Sequence, residues 1–394
     1  MAILVGTLAG IITGLIPGIH INLVSILVLS ASVVLLEYVE PIILCVFIVA
    51  MAVNHTFLNS LPAIFLGAPE GGGTELSVLP GHRLLLQGHG YKAVVLTVIG
   101  SLLAIVMVII LTPLLIPLIK IGYPLIKDFI PYILIISSIF LIYREKKSRV
   151  WGMTVYFLAG VLGLGVLNLP LSQPLFPLLS GLFGTSTLTL SLLQKTKIPE
   201  QKIEFPKIKI KETIKNLGGG TFASILCGVL PGLGGSQAAI ISSSFNKKSS
   251  PESFLVLIGS IDTAVMIISF IALFTLDKAR NGAVVVISQI LQTFNFDYFV
   301  LFLGATLVVG GIATVLSLKI SKVFSKLMMK VNYSLLCLSI IILIVVLTFV
   351  LTGFLGMLVL VTATALGLIP TLRNIGKNHL MGCLLFPVIL FFLL

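Results

Sequence analysis

The sequence predicts an all-α, polytopic integral membrane protein that crosses the bilayer about ten to twelve times and consists of two homologous repeats with broken or re-entrant helices. Composition predicts the membrane fold, because 58% of the 394 residues are hydrophobic, only 10% are charged and the mean hydropathy is +1.19. A soluble domain of this length does not have such a composition. A transmembrane β-barrel is disfavoured because no succession of short segments alternates between apolar and polar residues.

The apolar blocks predict the individual helices. In chain order they are residues 2–35, 42–66, 93–119, 129–143, 150–169, 174–193, 217–245, 253–276, 283–318, 333–352, 354–371 and a tail from 379. Most of them have the ~20 residues that a helix needs to cross the hydrocarbon core. A continuous helix over residues 2–35 would extend about 51 Å against a core of about 30 Å. The first block therefore predicts a hairpin or a discontinuous helix.

Basic residues predict the orientation of the chain in the membrane. The formal net charge is +12, and Lys and Arg concentrate in residues 144–149, 195–215, 319–330 and 373–379. Short basic loops stay on the cytoplasmic side of a membrane. We therefore expect these four segments to face the cytoplasm of a multi-pass cell-membrane protein that binds no nucleic acid.

The four cysteines all lie in apolar blocks, with no short spacing between any two of them, which favours packing over metal binding or disulfides. They are Cys45, Cys227, Cys337 and Cys383.

The chain contains an internal repeat. The stretches "GTLAGIITGLIPGIHIN" (6–22) and "GTFASILCGVLPGLGGS" (220–236) share seven identities in seventeen ungapped positions, all at an offset of 214. Matched Gly and Pro residues are hard to obtain from a shared apolar composition. The predicted organisation is therefore a first membrane repeat over residues 1–194, a charged cytoplasmic linker over 195–215 and a second membrane repeat over 216–394.

A Pro-Gly pair interrupts an apolar block in each repeat. Proline removes a backbone donor and glycine permits conformations that other residues avoid, so we expect the helix to break there. Broken helix persists in a membrane where protein buries it or a wet cavity receives it, and matched breaks indicate a secondary transporter's binding site. A structural kink or tight turn is the alternative. The candidate residues are Pro17, Gly18, His20, Asn22, Pro231, Gly232, Gly234, Gly235, Ser236 and Gln237.

A second interruption follows in the first repeat, at "FLGAPEGGGTEL" (65–76). Thr74 and Glu75 fit the cap and first turn of a new helix, and the free N–H groups at a helix start favour an anion. Polar residues at membrane depth are functional candidates by default, although a histidine that only bridges helices is the alternative for His55. This region adds Asn54, His55, Asn59, Gly67, Pro69, Gly71, Gly72 and Thr74 to the substrate-binding candidates.

Carboxylates in or beside apolar blocks are candidates for ion coupling. Asp262 lies in "FLVLIGSIDTAVMIISF" (254–270), and a buried carboxylate is costly unless it is paired, protonated or bound to a cation. We expect Asp262, Thr263 and Glu70 to handle H⁺ or Na⁺, with no other cofactor and no metal site. An interhelical hydrogen bond or a partner such as Arg280 is the structural alternative for Asp262. Lys278 and Arg280, in "TLDKARNG" (275–282), either attract an anion or mark an interface.

These segments together resemble the TctA family, the large membrane subunit of tripartite tricarboxylate transporters, and particularly its shorter archaeal-type members. The resemblance covers about residues 1–290 and rests on "GLIPGIH", "FLGAPEGGGTELSVLPGHRLLLQGHGYKAV", "RVWGMTVYFLAGVLGLGVL", "LLSGLFGTSTL" and "GTFASILCGVLPGLGGS". It implies a secondary carrier for an organic anion, driven by a proton or sodium gradient, with substrate held where the Pro-Gly segments of both halves approach each other. In the second half "TLDKARNG" replaces the family's usual second Gly/Pro turn.

We therefore expect a secondary active transporter (permease) for an organic anion such as a carboxylate, coupled to H⁺ or Na⁺ and working by alternating access around a midplane site. The alternative is a polyprenyl-phosphate translocase, in which the same helix N-termini would bind a lipid phosphate. An intramembrane enzyme is disfavoured because the sequence has no HExxH, no GxSxG and no paired aspartates in facing blocks. Substrate identity, the coupling ion, homodimer formation and the need for partner subunits stay open at this level.

Overall fold

The structure is a computed structural model that describes residues 1–16, 21–66, 80–193, 199–207, 210–229, 235, 238–239, 242, 250–330 and 332–394. Every regular element in these ranges is helical, which confirms the all-α prediction. In chain order the helices are α1 (Ala2–Leu15), α2 (Ile21–Leu35), α3 (Pro41–Leu58), α4 (Ser60–Leu66), α5 (Gly90–Ile126), α6 (Ile130–Tyr143), α7 (Arg149–Leu167), α8 (Leu175–Leu179), α9 (Ser186–Leu193), α10 (Ile210–Val229), α11 (Pro251–Leu276), α12 (Gly282–Leu291), α13 (Phe296–Met328), α14 (Tyr333–Leu372) and α15 (Gly382–Leu393).

Short irregular helices complete these elements. A π-helical stretch, Ser180–Thr185, joins α8 to α9, and 3₁₀ turns cover Lys127–Phe129 and Lys377–Met381. Seven of the described helical segments are long and apolar enough to cross a membrane: 41–66, 90–126, 149–167, 175–193, 251–276, 296–328 and 334–372. Shorter apolar helices accompany them, including α1, α6 and α12. The chain is therefore a multi-pass membrane protein.

Helix α1 packs along α3 through a row of glycines. A β-carbon at Gly10 would lie 2.8 Å from that of Asn54, and one at Gly14 would lie 2.7 Å from that of Leu58. Gly6 meets the Phe47 carbonyl in the same way. Small residues every fourth position let two helices approach closely in a membrane. Because the contacts advance together along both helices, α1 and α3 run in the same direction.

The second half repeats this packing with α10 and α11. Gly220 lies against Leu257 and Ser260, and Gly228 lies against Ile268. Gly220 and Gly228 correspond to Gly6 and Gly14 at the offset of 214, while their partners on α11 follow those on α3 at an offset of 210. The similarity of the two halves therefore extends from a short sequence motif to a pair of parallel helices in each half.

The contacts between the long helix α5 and α11 show the relative direction of these two helices. Gly100 packs directly on the Val256 carbonyl, and Gly259 packs on the Thr97 carbonyl. The ion pair between Lys92 Nζ and Glu252 Oε1, 2.6 Å, lies at the start of both helices. The two glycine contacts mark one crossing point, and the ion pair lies before it on both helices. The hydrogen bond between Lys278 and Tyr123 lies at the end of α5 and just beyond the end of α11, so α5 and α11 are parallel.

Helix α13 has the opposite direction to α5. A β-carbon at Gly310 would meet Ile105, whereas Lys322, farther along α13, stands over the ring of Tyr91 near the start of α5. Helix α3 runs with α13, because Phe57 lies near Gly310, and Phe65, on the directly following helix α4, has its ring 5.8 Å from that of Phe324 farther along α13. Helix α3 is therefore antiparallel to α11, and the equivalent helices of the two halves have inverted orientations.

The helices form two bundles. The first contains α1–α5 and α10–α13, and the second contains α6–α9, α14 and α15. In the described part of the chain, no helix of one bundle packs extensively against a helix of the other, and the Lys127–Phe129 turn leads from α5 to α6. The boundaries of the predicted repeats stay a prediction, although α10 already begins at Ile210, inside the predicted linker.

Helix α14 is a hairpin of two helices that meet at Gly353. This glycine has φ 64° and ψ −159°, a backbone region that side chains other than glycine scarcely adopt. Ile344 of the first arm lies near Gly184 of the π-helical stretch, and the Leu351 carbonyl at the end of this arm accepts a 2.7 Å hydrogen bond from Ser172 Oγ. The second arm contacts the same part of the chain, because Gly367 packs on the Leu182 carbonyl and Thr364 is hydrogen-bonded to Thr185. Both arms therefore pack within the second bundle.

Candidate functional site

Many of the predicted site residues lie outside the described part of the chain. These are Pro17, Gly18, His20, Gly67, Pro69, Glu70, Gly71, Gly72, Thr74, Pro231, Gly232, Gly234, Ser236 and Gln237. The described candidates are Asn22, Asn54, His55, Asn59, Gly235, Asp262 and Thr263. Of these, Gly235 is a half-buried residue in helical conformation beyond α10.

The described parts of the first interrupted block are two helices of opposite direction, α1 and α2. Helix α1 runs parallel to α3, and α2 leads from the end of α1 back to the start of α3 at Pro41. Helix α2 must therefore run against both. Since α1 has 14 residues, it extends only about 21 Å, less than the hydrocarbon core. The segment with Pro17 and Gly18 connects these two helices.

Asn22, in the first turn of α2, contacts the other half of the chain at the start of α12. A β-carbon at Gly282 would lie 2.6 Å from both Cγ and Oδ1 of Asn22. Gly282 follows the 277–281 connection, the second interruption of the second half. The start of α2, which follows the first interruption in sequence, therefore lies beside the start of α12, which follows the 277–281 connection, and two helix N-termini meet there. The Asn281 side chain caps α12 by accepting a 3.0 Å hydrogen bond from the Ala283 N–H.

Asp262 lies where α11 crosses the end of α3. Asn59, the C-terminal cap of α3, is hydrogen-bonded through its side chain to the Asp262 carboxyl group. One residue further, Thr263 Oγ1 donates a 3.2 Å hydrogen bond to Thr56 Oγ1. Asp262 therefore has the interhelical hydrogen bond that the sequence left as one alternative. Its other alternative partner, Arg280, instead bonds Tyr123.

Helix α5 contributes further hydroxyl groups to the same crossing. Thr97 Oγ1 donates a 3.0 Å hydrogen bond to Ser60 Oγ, and Ser101 Oγ donates a 3.0 Å hydrogen bond to the Gly259 carbonyl. The side chains of Ser60, Thr97 and Ser101 are all buried. Oxygen atoms from α3, α4, α5 and α11 therefore surround this junction of the two halves. Carboxylate, amide and hydroxyl oxygens suit a hard cation or a proton.

Asn54 and His55 lie on the part of α3 that packs against α1. Asn54 Nδ2 donates a 2.7 Å hydrogen bond to the Thr7 carbonyl of α1, and both Asn54 and His55 are buried. Asn54 therefore joins α1 to α3, within the same half. His55 stands one turn from Asn59, close to Gly14.

Several residues of the site were not candidates from the sequence. Thr56, Ser60, Thr97 and Ser101 resemble the other hydroxyl residues that recur in apolar helices, and their partners are distant in sequence. The sequence drew attention to the stretch "TLDKARNG" that contains Gly282, but not to Gly282 itself. In the described residues no group of three His, Cys, Asp or Glu side chains is arranged to hold a metal ion.

A family model matches residues 1–382, almost the whole chain, and its description is "Tripartite tricarboxylate transporter TctA family". The chain belongs to the TctA family. An uncharacterized protein of Methanocaldococcus jannaschii is 31% identical to it over 401 residues, which are 99% of this chain and 98% of that protein. No solved structure matches. The match to the family model extends beyond residue 290, where the resemblance in the motifs ends. The TctA family is a family of transporters, and transport, not enzymatic catalysis, is its activity.

Proposed function

We propose that the protein is a secondary active transporter for an organic anion, coupled to H⁺ or Na⁺, that works by alternating access around a site within the membrane. The observation that carries this proposal is the contact between Asn22 and Gly282, because it brings interruptions of two inverted halves together. Transporters with inverted repeats bind substrate at such interrupted helices near the bilayer midplane. TctA membership supports the transported class, since the family name refers to tricarboxylates.

The anion would bind at the interrupted helices. Helices α2 and α12 both begin at this junction, and helix N-termini present free N–H groups and a positive dipole end to an anion. Asn22 would supply a side-chain donor. The Pro-Gly segments would complete the site with backbone N–H groups.

The coupling ion would bind at Asp262. Its hydrogen bond with Asn59 and the neighbouring Thr263–Thr56 pair supply oxygen ligands from both halves. A carboxylate that bridges inverted halves can respond to a cation or a proton by changing how those halves pack. Glu70 remains a second candidate. The separation into two bundles supports movement of the first bundle, which contains both sites, relative to the second.

Ligand-dependent thermal stability tests this function. A ligand that binds only the native state stabilises it by about 2.7 kcal/mol at a hundredfold excess over its Kd. We expect a di- or tricarboxylate to stabilise the purified protein, with a larger shift in the presence of Na⁺ or at lower pH. A Pro231→Ala/Gly232→Ala variant should lose the shift, whereas a Gly165→Ala/Gly304→Ala control should keep it. Stabilisation by polyprenyl phosphate alone would replace this proposal with the lipid-carrier function.

A further inference from the structure

Two cationic side chains converge on one phenol at the junction of α5, α11 and α12. Lys278 Nζ and Arg280 Nη2 both donate hydrogen bonds to the Tyr123 hydroxyl oxygen, at 3.2 and 2.9 Å. Lys278 Nζ and Arg280 Cζ also stand 4.7 and 5.7 Å from the centre of the Tyr123 ring. The buried phenol near the end of α5 therefore holds both cations in one place.

No carboxylate neutralises this pair in the described part of the chain. Asp277 and Asp128 adjoin these segments in sequence, but the described ion pairs include neither of them. Two like charges beside one neutral oxygen repel each other. The Nε atom of Arg280 is also buried without a hydrogen-bond partner among the described residues. A buried donor without an acceptor is costly, so an anion at this point would relieve both costs.

Tyr123 can supply a third donor. A phenol has one O–H donor and two acceptor lone pairs. Because Lys278 and Arg280 both donate to the Tyr123 oxygen, its own hydrogen remains for another acceptor. An anion bound here would therefore meet an ammonium, a guanidinium and a hydroxyl donor.

This cluster adjoins the junction between the halves. Arg280 lies two residues before Gly282, and Gly282, the first residue of α12, contacts Asn22. The N-terminus of α12 adds the positive end of its dipole on the same side. A substrate that lies against Asn22 could thus extend a second charged group towards Arg280.

We propose that Lys278, Arg280 and the Tyr123 hydroxyl bind the second carboxylate of a substrate with at least two negative charges, and that Tyr123 positions the two cations. This inference rests on the proposed function and names the residues that select the charge of its substrate. A monocarboxylate leaves the cluster uncompensated, so selectivity for a dianion over a monoanion of the same skeleton is the property these residues confer.

Equilibrium binding of succinate and of monomethyl succinate, in phosphatidylcholine nanodiscs, tests the proposal. We expect the wild type to prefer succinate, and Arg280→Gln and Lys278→Gln each to weaken succinate binding roughly tenfold or more, the usual effect of losing a charge-assisted hydrogen bond. Binding of the monomethyl ester should hardly change. Tyr123→Phe should reduce the preference for succinate while both charges remain. Arg280→Lys should keep part of the preference that Arg280→Gln loses.

Matched controls distinguish carboxylate recognition at this cluster from a general effect of removing a cation and from lipid binding. Lys120→Gln removes an exposed cation about one turn before Tyr123 and should leave the preference unchanged. An unaltered preference in both the Lys278 and Arg280 variants, with wild-type binding intact, would overturn the inference but leave the proposed function standing. The inference also fails if the variants differ from wild type only in phosphatidylglycerol nanodiscs, since the cations would then bind lipid headgroups. Absence of any carboxylate binding by wild type would overturn both proposals.

Discussion

The side chain of Asn22 occupies the space beside Gly282, so that a β-carbon at Gly282 would lie 2.6 Å from its Cγ and Oδ1 atoms. This contact joins the start of α2, in the first half of the chain, to the start of α12, in the second. Each of these helix starts follows an interruption of an apolar block in sequence.

Gly282→Ala should impair substrate binding because its methyl group would collide with Asn22. Overpacking of this kind typically costs about 1–3 kcal/mol, and we expect a corresponding loss of carboxylate affinity. Asn22→Ala makes room for the methyl group, so the double variant should bind more tightly than the sum of the single effects predicts. Strict additivity in this double-mutant cycle, measured by ligand-dependent thermal shift, would argue that the contact is not part of the site.

Asp262→Asn should remove the dependence on the coupling ion while the size of the side chain and its packing are kept. We expect uptake driven by the ion gradient to fall by about tenfold or more, as for loss of an interaction with a charged group. Substrate binding without the ion should persist. Asp297→Asn, in the exposed first turn of α13, is the matched control. An Asp262→Asn variant with a normal gradient response would exclude this carboxylate from coupling.

Gly100→Ala should destabilise the first bundle, because its methyl group would be driven into the Val256 carbonyl of α11. Backbone cannot move aside as a flexible side chain can, so we expect a loss of about 2–3 kcal/mol, the upper part of the range for overpacking. Gly311→Ala is the control. A β-carbon there has no described atom within 4 Å, and alanine favours a helix over glycine by about 1 kcal/mol. Thermal unfolding in one detergent should separate the two variants; equal behaviour would contradict the close contact between Gly100 and the Val256 carbonyl.

Glu145 should contribute to stability in a pH-dependent way. Burial alone would raise its pKa, but hydrogen bonds from the Gly376 and Lys147 N–H groups and from His379 hold the pKa below its ordinary value of 4.5. Gly376 N and His379 Nε2 both contact Glu145 Oε2, at 2.9 and 3.1 Å. Because the folded pKa is lowered, this stabilisation is complete above about pH 4.5 and is lost as pH falls through the folded pKa.

Glu145→Gln should therefore reduce the stability of the second bundle at neutral pH by about 1–2 kcal/mol, the range for hydrogen bonds to a charged group. The difference between wild type and variant should shrink as the pH falls below 4.5. Unfolding monitored by Trp151 fluorescence across this range would measure it. A difference that is independent of pH would show that the Glu145 charge does not matter.

Sequence predicted the helical fold, and the end of α1 at Leu15 just before Pro17, because hydropathy and the Gly and Pro positions are local properties. It also singled out Asp262, since a lone carboxylate is conspicuous in an apolar run. The orientation of one half relative to the other was not predictable from sequence. It depends on whether the interrupted block turns back, and the parallel packing of α1 on α3 shows that it does. Tyr123 was missed for a similar reason. A tyrosine in an apolar helix has no signal of its own, and its partners lie more than a hundred residues away.

Uptake by purified protein in liposomes is the measurement that tests the central claim most directly. Labelled citrate and succinate would be offered outside the liposomes, with an inward Na⁺ gradient, an inward proton gradient or neither. We predict concentrative uptake of at least one carboxylate under one of the gradients, with loss of that gradient dependence in Asp262→Asn. Absence of carboxylate uptake under either gradient, by protein that is folded and inserted, would contradict the proposed function.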